Sequence, residues 1–219
     1  MDVKLIPVLE INCWDADVLS PGNGPYWLYP EEYNHYNNAC RLKAGFEDEF
    51  VFYMKGATFV RINDITISNL EKLIKDEVKG ILSGEHSRED GGYLSGGYVL
   101  NIDGKDVSFP QCCSDLAGIN YWKRMARESQ AGYDDGHPAP VLTFTDDEVL
   151  FDFKAGEIGE KFTPPPLYDK IIIKKADLKK AVDEVEIELY KFAERIEGIN
   201  KSLSLNIINI DKLLIWGDD

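Results

Sequence analysis

The chain has no long apolar run, no basic surplus and no local metal-binding spacing, and each absence narrows what it does. No apolar stretch in its 219 residues approaches the roughly 20 residues that span a bilayer. Its first residues, Met1-Asp2-Val3-Lys4-Leu5-Ile6-Pro7, show no basic segment leading into an apolar one, so no secretory signal is expected and the expected compartment is the cytoplasm. Lys and Arg number 24 against 39 Asp and Glu, a formal net charge of −15. Such a field repels phosphate backbones and anionic lipid surfaces, so neither nucleic acid nor membrane is an expected partner. Of the four cysteines (Cys13, Cys40, Cys112, Cys113), two are neighbours, and a bridge between neighbours closes a strained ring; reduced thiols are expected.

Catalytic signatures are equally scarce. The histidines (His35, His86, His137) stand far apart, and neither H-E-x-x-H nor C-x-x-C occurs, so the spacing predicts no zinc site and no cofactor. The glycine-rich run Gly91–Gly97 lacks the Lys-Ser/Thr of a phosphate loop, and no G-x-S-x-G elbow is present.

What is present is a foldable composition with acid concentrated in it. Hydrophobic residues make up 44% of the chain and aromatics 11%, which excludes intrinsic disorder. Between Glu128 and Glu160 lie Glu128, Asp134, Asp135, Asp146, Asp147, Glu148, Asp152, Glu157 and Glu160, opposed by Lys154 alone. A second acidic block occupies residues 1–49. Apolar residues interleave the first block (Val141, Leu142, Phe144, Val149, Leu150, Phe151, Phe153), so it belongs to folded strands.

Periodicity predicts a strand over 3–12, a turn-rich aromatic segment over 20–27, and a helix from Pro30 to about Lys43. Glu49–Met54 and Ala57–Ile62 read as a hairpin. Ser68, with Glu71 three residues on, reads as the cap of a helix whose stripe runs to Leu82. Tyr98–Ile102 and Lys105–Phe109 flank Asp103-Gly104, a strong two-residue hairpin turn. A helix is expected from Asp115 to about Ser129, a loop over Asp134–Pro140, and a second hairpin from Val141–Thr145 and Val149–Phe153. Thr163-Pro164-Pro165-Pro166 is a stiff connector and the one soft boundary in an otherwise single domain. A strand over Tyr168–Lys174, a long amphipathic helix over about 177–200, and strand-like pieces at Leu203–Ile210 and Leu213–Trp216 complete the chain. Hairpins mixed with helices indicate an α+β fold with a mostly antiparallel sheet.

Two local clusters invite chemistry. Asp134-Asp135-Gly136-His137 offers hard-cation ligands but lacks the spacing of an EF-hand loop, and it equally fits a hydrated turn. Cys112 or Cys113 with a distant His would make a nucleophilic dyad. The expected helix start after Cys113 favours a thiolate, whereas Asp115 opposes one, and a cysteine serving as a small hydrophobe fits as well.

The segments Gly97-Tyr98-Val99-Leu100-Asn101-Ile102-Asp103-Gly104-Lys105, Phe109-Pro110-Gln111-Cys112-Cys113-Ser114-Asp115-Leu116 and Tyr121-Trp122 resemble bacterial proteins of the immunity class, the antidotes of polymorphic or contact-delivered toxins. The resemblance implies an α+β protein that neutralises a toxin domain without turnover, often a basic nuclease-type one met by an acidic surface. The charge leads the same way. A non-enzymatic protein binding a basic partner is the leading expectation, with Asp134, Asp135, Asp146, Asp147, Glu148 and Asp152 supplying the field and Tyr133 or Trp27 anchoring contact. A thiol- or metal-dependent enzyme using Cys113 or His137, and an adaptor whose acidity serves solubility, are the alternatives.

Overall fold

The computed structural model describes residues 1–130 and 136–217. Its centre is β1 (Val3–Glu10), which buries Val3, Leu5, Val8 and Leu9. It pairs antiparallel with β3 (Gly96–Ile102) from Val3↔Ile102 to Leu9↔Gly96, and at one end with β2 (Phe59–Arg61). β4 (Lys105–Ser108) follows β3 through Asp103 and Gly104, with φ of 50° and 79°. Two successive positive φ values make the turn whose twist matches a tight hairpin, which is why Asp-Gly stands there. The strand order is β2-β1-β3-β4, and every residue of β3 is buried.

A second antiparallel sheet has the order β5-β6-β7, from β5 (Val141–Phe144), β6 (Glu148–Asp152) and β7 (Lys170–Lys174). Among the described residues six α-helices join these sheets: α1 (Pro30–Lys43), α2 (Ile67–Glu77), α3 (Lys79–Ser83), α4 (Ile119–Glu128), the single turn α5 (Phe153–Gly156) and α6 (Lys175–Ser202). The fold is α+β, with antiparallel sheets and one long helix. α6 follows β7 directly and lays Leu178, Val182, Val185, Leu189, Phe192 and Ile196 against β1 and α4. Each such side chain, fully buried, contributes about 1.5–3 kcal/mol. One buried apolar cluster runs from Val3 through Phe151 to Ile215, and the 163–166 connector is tied into it. There the Thr163 N–H donates to Gln111 Oε1 (2.8 Å), the Leu167 N–H donates to the Val107 carbonyl (2.9 Å), and Phe162 is buried against Phe153.

Several local expectations are corrected. The cap of α2 is Thr66, whose Oγ1 accepts from the Asn69 N–H, and Ser68 lies inside the first turn. Ile65 before that cap and Leu70 within the helix are both buried, a hydrophobic staple that fixes the start earlier than the Ser68–Glu71 pattern suggested. The helical stripe to Leu82 is divided at Val78 into α2 and α3. Glu49–Met54 is not a strand. Phe52 alone bridges to Val60, and Phe50 and Phe52 wrap the buried Arg41, whose guanidinium lies 3.8 Å over the Phe52 ring. The helix expected from Asp115 begins as a tight turn, Leu116–Gly118, capped by the Asp115 carboxylate. Leu203–Ile210 and Leu213–Trp216 are not strands either. Ser204, Asn206 and Asn209 take positive φ, and Lys212–Trp216 is a widened helical turn burying Leu213, Leu214 and Ile215 in succession.

Arg127 of α4 bridges Asp183 (2.8 Å) and Glu186 (2.6 Å) of α6. The Arg127 hydrogen bond, helped by Lys179, holds Asp183 below the usual carboxylate range. Burial pushes Glu186 up, but the hydrogen bonds from Lys123 and Arg127 outweigh it and leave the group lowered. Stability from such groups is present above the unfolded carboxylate pKa of about 4 and is lost as pH falls through the folded values. Arg127→Ala will therefore lower the unfolding free energy at pH 7, read from urea denaturation, by less than about 1 kcal/mol for a partly exposed pair. The deficit will shrink towards pH 3. An equal deficit at both pH values would assign the effect to packing alone.

Candidate functional site

The hairpin β3–β4 delivers the chain to a tight turn at Gln111-Cys112-Cys113-Ser114. The Ser114 N–H donates to the Gln111 carbonyl (3.1 Å), and the Gln111 N–H donates to Ser114 Oγ (3.1 Å). Cys113 sits in this turn at φ 67°, a region that L-residues other than Asn and Asp rarely occupy. Such strain costs on the order of 1–3 kcal/mol and is commonest at functional positions. Gly96 N–H to the Ser114 carbonyl (3.1 Å), and Tyr98 Oη to the Leu116 carbonyl (2.6 Å), fasten the turn to β3.

A second segment returns to meet it. The His137 N–H donates to the Cys112 carbonyl (3.0 Å). The close approach requires Gly136, at φ 78°: a Cβ there would stand 2.3 Å from Ser114 Oγ and 2.6 Å from the Cys112 carbonyl oxygen. The imidazole then lies beside both thiols. Cys112 Sγ and Cys113 Sγ are 3.6 Å apart, and Cys113 Sγ is 3.7 Å from His137 Nε2. On the other side of the ring, Nδ1 meets Glu160 Oε2 at 2.5 Å. Glu160 comes from the loop after α5, held near the turn by the Thr163–Gln111 hydrogen bond. Both cysteines are exposed, and His137 and Glu160 are about half exposed.

The charges are mutually arranged. The Glu160 hydrogen bond and then the Cys113 contact raise the His137 pKa above its ordinary value. Cys113 is lowered by the hydrogen bond from Cys112 and then by that of His137, while Cys112, the donor of the pair, is raised. A cleft of about 280 Å³ opens on the two sulfurs, lined also by Glu10, Asn12, Tyr26, Thr58, Phe59 and Gln111. The Thr58 hydroxyl donates to the Glu10 carboxylate (3.2 Å), and among the described residues no Lys or Arg lines this cleft. A larger groove of about 610 Å³, walled by Ile102, Leu150, Ile171 and Ile172, brings no nucleophile to a base.

The residues pointed to Cys112 or Cys113 with an unspecified distant His as a dyad, and to His137 within an acidic turn, but not to His137 as the partner of Cys113 nor to Glu160. A spacing rule sees residues a few positions apart, and here 24 positions separate Cys113 from His137. Gly136 before His137, explained above only as turn chemistry, was the available signal.

The expected partner-binding residues are dispersed. Tyr133, Asp134 and Asp135 lie outside the described residues. Asp146 and Asp147 form the exposed β5–β6 turn, and among the described residues no cation or hydrogen-bond donor engages either side chain. Glu148 stands opposite Lys174 across the sheet. Asp152 is occupied: it caps α5 through the Ala155 N–H (2.9 Å) and pairs with Lys170 (2.6 Å). Trp27 stacks edge-on against Tyr26, 5.1 Å between centroids, beside the thiol cleft. Among the described residues no helix is long and apolar enough to cross a membrane.

Compared with family models, with characterised proteins and with solved structures, the chain finds no match.

If Gly136 is what lets the two segments meet, Gly136→Ala will destabilise the chain by about 1–2 kcal/mol, the cost of a Cβ at positive φ. It will also shift the His137 imidazole NMR signals towards those of a free histidine. Unchanged His137 signals would mean that the approach does not depend on the missing Cβ.

Proposed function

We propose that the chain is a thiol-dependent enzyme in which Cys113 is the nucleophile, His137 its base and Glu160 the group that orients the ring. The observation behind this reading is the continuous chain Cys113 Sγ–His137 Nε2 and His137 Nδ1–Glu160, with Cys113 itself lining a cleft. With Nδ1–H donating to Glu160, Nε2 keeps its lone pair towards the thiol and can accept its proton. The imidazolium that results is stabilised by the Glu160 carboxylate and can return the proton to a leaving group. The reaction class is attack of sulfur on an electrophilic carbon or sulfur centre of a small group that the cleft admits.

The test is alkylation by iodoacetamide at pH 7 with the modified residue mapped by mass spectrometry. Cys113 should react about tenfold or more faster than a free thiol of pKa about 8.5. His137→Ala and Glu160→Gln should each return it to within about threefold of the free thiol. A wild-type Cys113 no faster than Cys112 and a model thiol would end this reading.

A second reading follows the resemblance to immunity proteins: a basic, nuclease-type toxin domain docks on the acidic β5–β6 turn. It is favoured by Asp146 and Asp147, whose carboxylates are exposed and unpaired among the described residues. Free carboxylates at a hairpin tip steer a cationic partner and lose that effect as salt rises. The double charge reversal Asp146→Lys with Asp147→Lys should slow association with a basic nuclease domain about tenfold at low salt and much less at high salt. An unchanged association rate would remove the turn from any interface.

A further inference from the structure

We infer that Cys112, Cys113 and His137 also form a coordination site for a soft divalent cation, with Zn²⁺ as the natural occupant, and that its occupancy controls the thiol proposed above as nucleophile. The site itself stands on distances alone; its regulatory meaning rests on the thiol-dependent reading.

A tetrahedral zinc ion holds sulfur at about 2.3 Å and imidazole nitrogen at about 2.0 Å, which sets S···S near 3.8 Å and S···N near 3.5 Å. The two sulfurs stand 3.6 Å apart, and Cys113 Sγ is 3.7 Å from Nε2. All three ligand atoms lie within 4.8 Å of one another. Two of the three separations already match a filled site. The third closes with a small side-chain rotation, which exposed side chains make at little cost.

The outer surroundings fit as well. His137 presents Nε2 to the sulfurs and commits Nδ1 to Glu160. A carboxylate on the far nitrogen is the arrangement that fixes the tautomer and orientation of a metal-binding imidazole. The charge also balances. Binding releases two thiol protons to solvent, and the two thiolates neutralise the ion. Glu10 and Glu160 both act on Cys112, so the local field attracts a cation. Three protein donors would leave a fourth position for water, and the cleft onto which the sulfurs open is lined by the polar side chains of Glu10 and Asn12. A sulfur bound to the ion no longer takes part in attack on carbon, so an occupied site is a silenced nucleophile.

The experiment titrates the chelator-treated full chain with Co²⁺, read as sulfur-to-cobalt charge-transfer and tetrahedral d–d absorption. Zn²⁺ then displaces the cobalt in the presence of a chromophoric chelator. One equivalent should bind. Cys112→Ser, Cys113→Ser and His137→Ala should each weaken binding at least about 100-fold, and Glu160→Gln about tenfold, the span of outer-shell effects. Cys13→Ser with Cys40→Ser should change nothing. Far-ultraviolet circular dichroism checks that each variant is folded. Absence of the charge-transfer band, or stoichiometric binding that survives loss of both Cys112 and Cys113, would overturn the metal site. Alkylation of Cys113 is measured before and after loading. One equivalent of Zn²⁺ should suppress it at least about tenfold, and unchanged alkylation in the loaded protein would overturn the control of one by the other. Stoichiometric zinc with ordinary alkylation of the metal-free chain would remove the enzyme reading and leave the metal site standing. Fast alkylation with no metal bound would do the reverse.

Discussion

The packing of α6 against β1 and α4 is the constraint on which the remaining architecture depends. β7 runs into α6 without a loop, so the second sheet is carried wherever the helix goes. The apolar stripe from Leu178 to Ile199 then fixes the helix over the first sheet. Because both sheets are referred to one helix, the segments that follow β4, precede β5 and follow α5 come together. There the 111–114 turn, His137 and Glu160 meet. The site is made of exposed side chains, but its backbone is held by the buried Ser114, Leu116 and Phe162 beneath it.

Where an element's sequence carried its own instructions, it could be read directly. Pro30, the acids Glu31 and Glu32, and the bases Arg41 and Lys43 define α1 by charge and dihedral preference alone. Asp103-Gly104 forces the β3–β4 hairpin for a similarly local reason. α6 is long enough for its stripe to dominate any competing period. Short elements fared worse, because tertiary contacts chose among equal local options. Phe50 and Phe52 alternate like strand residues, but covering the Arg41 guanidinium offers more than a ladder would. Leu213, Leu214 and Ile215 are all buried, and a consecutive apolar run does not distinguish a strand from a buried helical turn.

The cluster of thiols, imidazole and carboxylate was only partly legible, for a different reason. Cys112-Cys113 and His137 belong to two segments whose meeting is decided by the Cys112 carbonyl, the Gly136 backbone and the Thr163–Gln111 hydrogen bond. None of these is a property of a local motif. Glu160 was one acid among 39, and composition gave no ground for singling it out.

The acidity that dominates the sequence takes on a divided meaning in the fold. Part of the 128–160 block is spent internally: Asp152 on a cap and Lys170, Glu157 on Lys154, Glu160 on His137. The Asp146-Asp147 turn keeps both of its carboxylates unengaged among the described residues. A block charge computed from the sequence therefore overstates the field available to a distant partner. It understates the field at the thiols, where Glu10 and Glu160 arrive from segments far apart in the chain. Near Cys112 the carboxylates resist a bare thiolate and favour any state that brings in positive charge. An imidazolium supplies one such charge and a divalent ion two. The same two carboxylates that would hinder an isolated cysteine nucleophile thus fit one paired with His137, and fit a cation bound between them better still.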